Sequence, residues 1–202
     1  MHPGSLFQQG DKTALAALVA ERGFALIVGV ADGRPLAAQT PVLFDGRHLR
    51  FHLFRDNPLT QVLAAGGASV LAVVNGPDAY VSPDWYQLAD QVPTWNYVSV
   101  ELEGPVTALD AAGATAVLDA LSAHFEATLA PKSPWTRRKM SPGRFEAMLG
   151  AIVAFEMTVE RCEGVWKLSQ NKRPEVISRV ITALESKPDE AARAIAALMR
   201  QL

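Results

Sequence analysis

The 202-residue chain holds a single cysteine, Cys162, and that scarcity removes two kinds of architecture. One thiol closes no intramolecular disulfide, and no set of cysteines is present to hold zinc. An excess of one charge is lacking too: 19 Lys and Arg stand against 21 Asp and Glu, for a formal net charge of -2 and a pI of about 6.1. No global positive field draws such a chain to nucleic acid or anionic lipid, so a partner of that kind must meet a local patch. No apolar run approaches the roughly 18 residues that suggest a membrane span. Met1 is followed by no basic segment leading into an apolar one, and the expectation is a cytosolic protein. The Gly-x-Gly-x-x-Gly turn, the Gly-rich loop ending in Lys-Ser or Lys-Thr, His-Glu-x-x-His and Gly-x-Ser-x-Gly are all missing, and with them the usual nucleotide, zinc-protease and serine-hydrolase signatures. His48 and His52 share one face of a strand, but four extended residues separate their Cα atoms by about 13 Å, too far to ligate one ion together. His2 and His124 add no helpful spacing. No metal site is expected.

What is present is a substantial apolar fraction, 49%, enough to bury the core of one domain spanning residues 1–202. Asp11 caps a short helix whose Leu15, Leu18 and Val19 share a face, with Gly23 as its stop. Three strands follow, at 24–31, 36–44 and 48–54, separated by "DGRP" and "DGR", turn signals of an antiparallel meander. A short helix at 58–65 leads to strands at 69–76 and 79–82. A long strand over 94–109 then turns Val98, Val100 and Leu102 one way and Tyr97, Ser99 and Glu101 the other. Asp110 caps a helix to about Leu129, and Ser141-Pro142 reads as another helix start. One last strand is expected through "AIVAFEMTVERCEGVWKL", followed by helices starting near Pro174 and Asp189, over about 174–201. Many short strands with close turn signals, interrupted by helices that cannot all be crossovers, predict a mainly β, α+β fold: a small antiparallel barrel decorated by helices.

Two groups of residues invite a binding reading. In "FHLFRDNPLTQVL" the strand ends at Phe54, Arg55 supplies a permanent cation, and Asn57-Pro58 starts a helix. Its free amides and dipole favour a phosphate, which Arg55 could bond as well. The plain alternative is an ordinary cap beside a solvated arginine. The second group gathers around tryptophans near strand ends, Trp85, Trp95 and Trp166, with Asn96, Lys167, Ser169, Gln170, Asn171 and Lys172 close by. Tryptophan offers a broad apolar face and one N–H donor, which suits a planar ligand with a polar edge. The same rings can equally plug barrel ends or a subunit seam. Residues 167–173 form a polar loop between Trp166 and the helix start at Pro174, better suited to hydrogen-bonding a ligand than to building a core.

The blocks "FHLFRDNP", "YVSPDWY", "VPTWNYVSVELEG" and "VWKLSQNK", in this order, resemble the PaiB-type FMN-binding proteins, often labelled negative transcriptional regulators, of the pyridoxamine-phosphate-oxidase-like superfamily. The resemblance implies an antiparallel split β-barrel, a homodimer, and FMN at the subunit interface. It implies that "LAAQTP", with Gln39 and Thr40, and "HLFRDNP", with His52, Leu53, Phe54, Arg55 and Asn57, face the flavin and its phosphate. Trp166 to Lys172 would close the site. The chain departs from the family pattern in having Gln39-Thr40 where a His commonly precedes the proline, and Phe54 where Ala is common. Three functions follow as expectations: an FMN-binding sensor or regulator, an FMN-dependent oxidoreductase or flavin reductase, or a cofactor-free dimer contacting DNA through Arg137, Arg138, Lys139 and Arg144. The DNA reading has the least support, since no helix-turn-helix accompanies the patch and four cations on one loop are commonly just a solvated surface.

Overall fold

The computed structural model describes residues 4–202; Met1 and His2, on which the leader and one histidine reading fall, lie outside the described residues. In chain order the strands are β1 (Gln8–Gln9), β2 (Phe24–Ala31), β3 (Arg34–Phe44), β4 (His48–Phe54), β5 (Ser69–Val81), β6 (Thr94–Ala108), β7 (Ile152–Thr158) and β8 (Arg161–Lys167). The helices are α1 (Lys12–Arg22), α2 (Pro58–Ala64), α3 (Ala111–Ala127), α4 (Arg144–Leu149), α5 (Pro174–Glu185) and α6 (Glu190–Met199). Backbone packing divides the chain into two units interleaved in sequence. The larger comprises Ala16–Val74 and Glu101–Cys162; the smaller comprises the described residues up to Leu15, Asn75–Val100 and Glu163–Leu202.

In the larger unit the strands close into a cycle. β2 pairs antiparallel with β3 from Phe24↔Pro41 to Ala31↔Arg34, β3 with β4, β4 with β7, and β7 with β6; β6 neighbours β5, and β5 returns to β2. Strand alternation decides what this barrel encloses. Ala25 and Ile27 of β2, Val42 of β3, Leu49, Phe51 and Leu53 of β4, and Phe155 and Met157 of β7 are buried. Phe51 and Phe155 meet with ring centroids 5.5 Å apart. Thr40, also buried, donates from Oγ1 to the His52 carbonyl at 2.6 Å and so satisfies its hydroxyl inside an apolar core. The meander needs the Asp32-Gly33 turn, where both residues take positive φ as a tight hairpin requires. Asp45 holds the next turn by accepting from the amides of Arg47 (2.9 Å) and His48 (2.7 Å). Partial burial pushes its carboxyl up, but those amides and the Arg50 guanidinium outweigh it and hold the pKa at about 2.

α3 covers one outer flank of this unit. Asp110 caps it by accepting from the Gly113 amide at 2.8 Å, and Ala114, Val117 and Leu121 pack on Ala154 with Leu43, Leu109 and Ile152 around them. Gly23 ends α1 at φ +56, and a Cβ there would strike the Phe125 ring, so both backbone and packing ask for glycine.

The smaller unit joins β1 to β8 (Gln8↔Val165, Gln9↔Gly164) and adds the α5–α6 pair. α6 is capped by Asp189, which accepts from the Ala191 amide at 3.1 Å. Val176, Val180 and Leu184 of α5 and Ile195 and Met199 of α6 are buried, the spacing of an apolar helix face. Pro83 begins a short 3-10 turn, Pro83–Tyr86, capped by Ser82, and Tyr86 is buried beneath it.

Three expected boundaries are corrected. Strands expected at 69–76 and 79–82 are one strand, β5. The alternation Val70, Ala72, Val74, Gly76 slips by one residue before Ala79 and Val81, a change of phase that looks like a break in sequence but leaves the strand continuous. Ser141-Pro142 does not start a helix: Gly143 takes φ +74, a conformation no right-handed helix can contain, and α4 begins only at Arg144. The expected single last strand is two, because the backbone leaves its ladder between Thr158 and Arg161. There the Val159 amide donates to the Arg47 carbonyl and the Glu160 amide to the Glu103 carbonyl, each at 2.9 Å. Gly104 permits this close pass, since a Cβ on it would run into the Thr158 carbonyl.

Backbone cannot yield as a flexible side chain can, so Gly104→Ala is expected to cost about 1–3 kcal/mol, the range for overpacking. Gly10→Ala, with open space around the added methyl, should stay within about 0.5 kcal/mol of the parent. Urea denaturation of the two variants checks this; equal midpoints would mean the crossing is loose.

Candidate functional site

β3 and β4 bring together the first group of candidate residues. Because successive side chains alternate, Gln39 and Pro41 of β3 and His52 and Phe54 of β4 lie on the outer face, with Gln39 and Phe54 exposed. Thr40 and Leu53 instead point into the barrel, so a ligand on the outer face could meet only their backbone. Of the His52 ring nitrogens, Nδ1 is sealed from solvent and has no partner among the described residues, and burial pushes the imidazole's pKa below 6.5. The ring is therefore neutral at pH 7.

Arg55 is exposed but not idle. Its Nε donates to the Gly150 carbonyl at 2.6 Å and its Nη2 to the Ile152 carbonyl at 3.0 Å, which ties the end of β4 to the segment entering β7. A guanidinium carries five N–H groups, so three remain for an anion. Asn57 caps α2 by accepting from the Leu59 amide at 2.9 Å, as its position before Pro58 predicts.

The second group lies in the smaller unit, and most of its polar atoms are already engaged there. Lys167 donates to Thr94 Oγ1 at 2.6 Å. Ser169 is buried at φ +63 and bonds buried Asn96, whose Nδ2 lies 3.0 Å from Ser169 Oγ and 3.4 Å from the Met199 sulfur. Gln170 accepts from the Leu168 amide (2.7 Å) and donates to the carbonyls of Trp166 (2.6 Å) and Leu6 (3.3 Å). Lys172 bonds Gln91 Oε1 at 2.6 Å and sits 4.7 Å from the Tyr86 ring centroid. Asn171 is exposed. The picture of residues 167–172 as a spare polar loop is thus corrected for all but Asn171: these side chains brace the local backbone. Trp95 is 53% exposed and meets Tyr80 edge-on at 6.1 Å, while Trp85 lies under Lys187. Trp95 keeps an open face; Trp85 does not.

Comparison with known proteins decides the family. A family model described as "Putative FMN-binding domain" matches residues 1–161. The protein "Protease synthase and sporulation protein PAI 2" of Bacillus subtilis (strain 168) is 31% identical over 189 residues, covering 90% of this chain and 87% of its own. The chain belongs to the PaiB-type FMN-binding family. Among solved structures, the flavocytochrome Anf3 from Azotobacter vinelandii matches with a TM-score of 0.62 at 14% identity, covering 88% of this chain and 78% of the other. The FAD and heme binding protein from Mycobacterium smegmatis matches with a TM-score of 0.60 at 21% identity, covering 85% and 78%. These likenesses establish the fold, a split barrel of the flavin-binding kind, and the family establishes FMN as the cofactor. The donor set fits it: a cation with three unused N–H groups in Arg55, an exposed amide in Gln39 and a neutral imidazole in His52 stand on or beside one strand face. Trp135, the fourth tryptophan, escaped the sequence reading because "SPWTRRK" shows only a polar, cationic stretch; in the structure it joins His52 in lining one cavity.

Two measurements follow. Replacing Gln170 by Ala should cost about 1–2 kcal/mol, since it strips three backbone groups of their partner, whereas Asn171→Ala should change stability by less than about 0.5 kcal/mol. For His52, the unfolded chain titrates near 6.5, the ordinary value of imidazole, and the folded chain lower, so acid favours the unfolded state. Its contribution is complete above pH 6.5 and is lost as pH falls from there towards the folded value. Urea titrations at pH 8 and 5.5 should show the parent losing more stability than His52→Gln; equal losses would mean the ring is not desolvated.

Proposed function

We propose that the chain acts as a homodimeric flavin protein with a sensing or regulatory role, FMN lying on the outer face of β3 and β4 with its phosphate on Arg55. Gln39, His52 and Phe54 contact it by side chain and Thr40 and Leu53 by backbone. Asn57 lies beside the phosphate; of the candidates in the smaller unit, Trp95 and Asn171 are exposed, while Lys167, Ser169, Gln170 and Lys172 are bound locally. When bound, FMN supplies hydride and electron chemistry. The protein's part is to bind it, orient it and exclude water.

The observation that carries the dimer is the outer face of β2 and β5. Leu26 and Val28 stand across from Val73 and Leu71, and at the strand's ends Phe24 and Val30 are 50% and 63% exposed. Such a contiguous apolar sheet face is costly in water and is covered well by a two-fold copy of itself. The name of the Bacillus subtilis relative, "Protease synthase and sporulation protein PAI 2", ties that protein to sporulation and states no flavin-dependent reaction, which supports the regulatory reading. Direct DNA contact has less support than its four cations suggest. Arg137 bonds both Asp119 carboxylate oxygens at 3.0 Å and lies 5.2 Å from the Phe145 ring centroid, which leaves Arg138, Lys139 and Arg144.

Incubation with FMN and desalting should leave a flavin absorption spectrum on the protein. Arg55→Ala should weaken FMN by about 1.5–3 kcal/mol, the range for a hydrogen bond to a charged group, and riboflavin far less. Equal losses for the two ligands would place the phosphate elsewhere. Light scattering at micromolar concentration should give a dimer, and Val28→Glu a monomer; a monomeric parent that still binds FMN would end the shared-site reading.

A further inference from the structure

A groove in the larger unit runs between α3, α4 and the segment that joins them. One end is a cavity of about 280 Å³ walled by Leu118, Trp135, Met140, Phe145, Met148 and Leu149. The other is a more polar cavity of about 520 Å³, where Ser122, Thr136, Arg137 and Arg138 stand. Asp119, Ser122, Trp135 and Arg137 line both, so the two ends adjoin. Leu118, Ser122 and Trp135 stand between this groove and the cavity that His52 lines. None of the residues assigned to the flavin lines either end, and the groove is independent of that reading.

The apolar end sets the body of a guest. Met148 is 53% exposed and Trp135 38%, large side chains left facing water on the groove wall. The wall is held in place, because the Trp135 amide donates to Glu126 Oε2 at 2.8 Å and Lys132 binds the same carboxylate, which ties the segment to the last turns of α3. Methionine side chains then conform to whatever apolar shape lies against them. An apolar cavity of about 150 Å³ takes one benzene ring, so 280 Å³ suits a body of about eight to ten carbons.

Charge sets the head of that guest. Asp119 accepts from Arg137 Nε at 3.0 Å on each carboxylate oxygen, and the Arg137 guanidinium lies 5.2 Å from the Phe145 ring centroid. These contacts fix and neutralise Arg137 but leave its four Nη–H donors over. The Arg138 guanidinium is exposed and has no partner among the described residues. Two cations and one anion therefore line the groove, and the one positive charge to spare matches a monoanion. A carboxylate is planar, pairs with guanidinium by charge-assisted hydrogen bonds, and meets in Arg137 a donor already ordered.

We infer that this groove is a second small-molecule site, taking a monocarboxylic acid with an apolar body of about eight to ten carbons. The carboxylate accepts from Arg138 and Arg137, and the body lies against Met140, Phe145 and Met148. The cations that read in the sequence as a DNA patch thus serve one small acid.

Octanoate, 1-octanol, octylammonium and butyrate can be titrated into the full chain by calorimetry, with and without saturating FMN, while the Trp135 indole NMR signal, assigned with Trp135→Phe, locates them. Octanoate should bind about 10-fold more tightly than octanol, the worth of one charge-assisted hydrogen bond at a part-exposed site, and butyrate about 10- to 100-fold more weakly than octanoate. Octylammonium should not bind measurably. Arg138→Gln, at a side chain that holds nothing in the fold, should bring octanoate to within about 2-fold of octanol and leave octanol unchanged. Met148→Ser should weaken both octyl ligands about 3-fold. Octanoate no tighter than octanol on the parent, a preference that survives Arg138→Gln, or binding that leaves the Trp135 signal unmoved would overturn the inference. Displacement of octanoate by FMN would overturn it too, by giving the groove to the flavin.

Discussion

The period-two alternation of β4 constrains everything else in the larger unit. Leu49, Phe51 and Leu53 are drawn into the barrel, and the geometry of a strand then leaves His48, Arg50, His52 and Phe54 no place but the outer face. A slip of one residue would exchange the two sets, burying an arginine and two histidines. The neighbouring strand locks the register from inside, because the Thr40 hydroxyl donates to the His52 carbonyl at 2.6 Å. The interior of the barrel thus decides which polar groups stand outside it and how they are spaced.

Arg55 shows how one residue can serve the frame and still keep donors free. Two of its N–H groups hold the carbonyls of Gly150 and Ile152, and Ile152 also pairs with Phe54 across the β4–β7 ladder. The guanidinium is therefore held by strand ends that the barrel has already positioned. A planar cation fixed on one edge meets a phosphate with less loss of side-chain freedom than a solvated one. The preorganisation comes from backbone carbonyls, so it is present whether or not an anion has arrived.

The legible parts of the fold are those set locally. Alternating apolar residues with Asp-Gly turns located β2, β3 and β4, and Asp11, Asn57, Asp110 and Asp189 marked four helix starts by the capping chemistry of their own side chains. The break between β7 and β8 was not legible, since the stretch from Ile152 to Lys167 reads as one strand and the break depends on Gly104, distant in sequence, admitting the Thr158 backbone. Gln170 and Lys172 misled for a related reason. A polar side chain in a loop looks available until the structure supplies its partner, and theirs are Leu6, Trp166 and Gln91. The resemblance to the PaiB-type family located strand segments correctly but could not say which way each side chain points; alternation separates Gln39 and His52 from Thr40 and Leu53.

A ligand recruits groups whose hydrogen-bonding capacity is left over after folding, and that capacity is unevenly distributed in this chain. In the smaller unit Asn96 and Ser169 satisfy each other, Gln170 the local backbone and Lys172 the Gln91 side chain, and breaking the Asn96–Ser169 bonds to reach a ligand would leave buried groups unpaired. In the larger unit Gln39 is exposed and Arg55 keeps three donors. Arg55 and Gln39 can each bind without first unbinding something. Among the candidate residues, the spare hydrogen-bonding groups therefore stand at the β3–β4 face, which is why our proposal lays the flavin there.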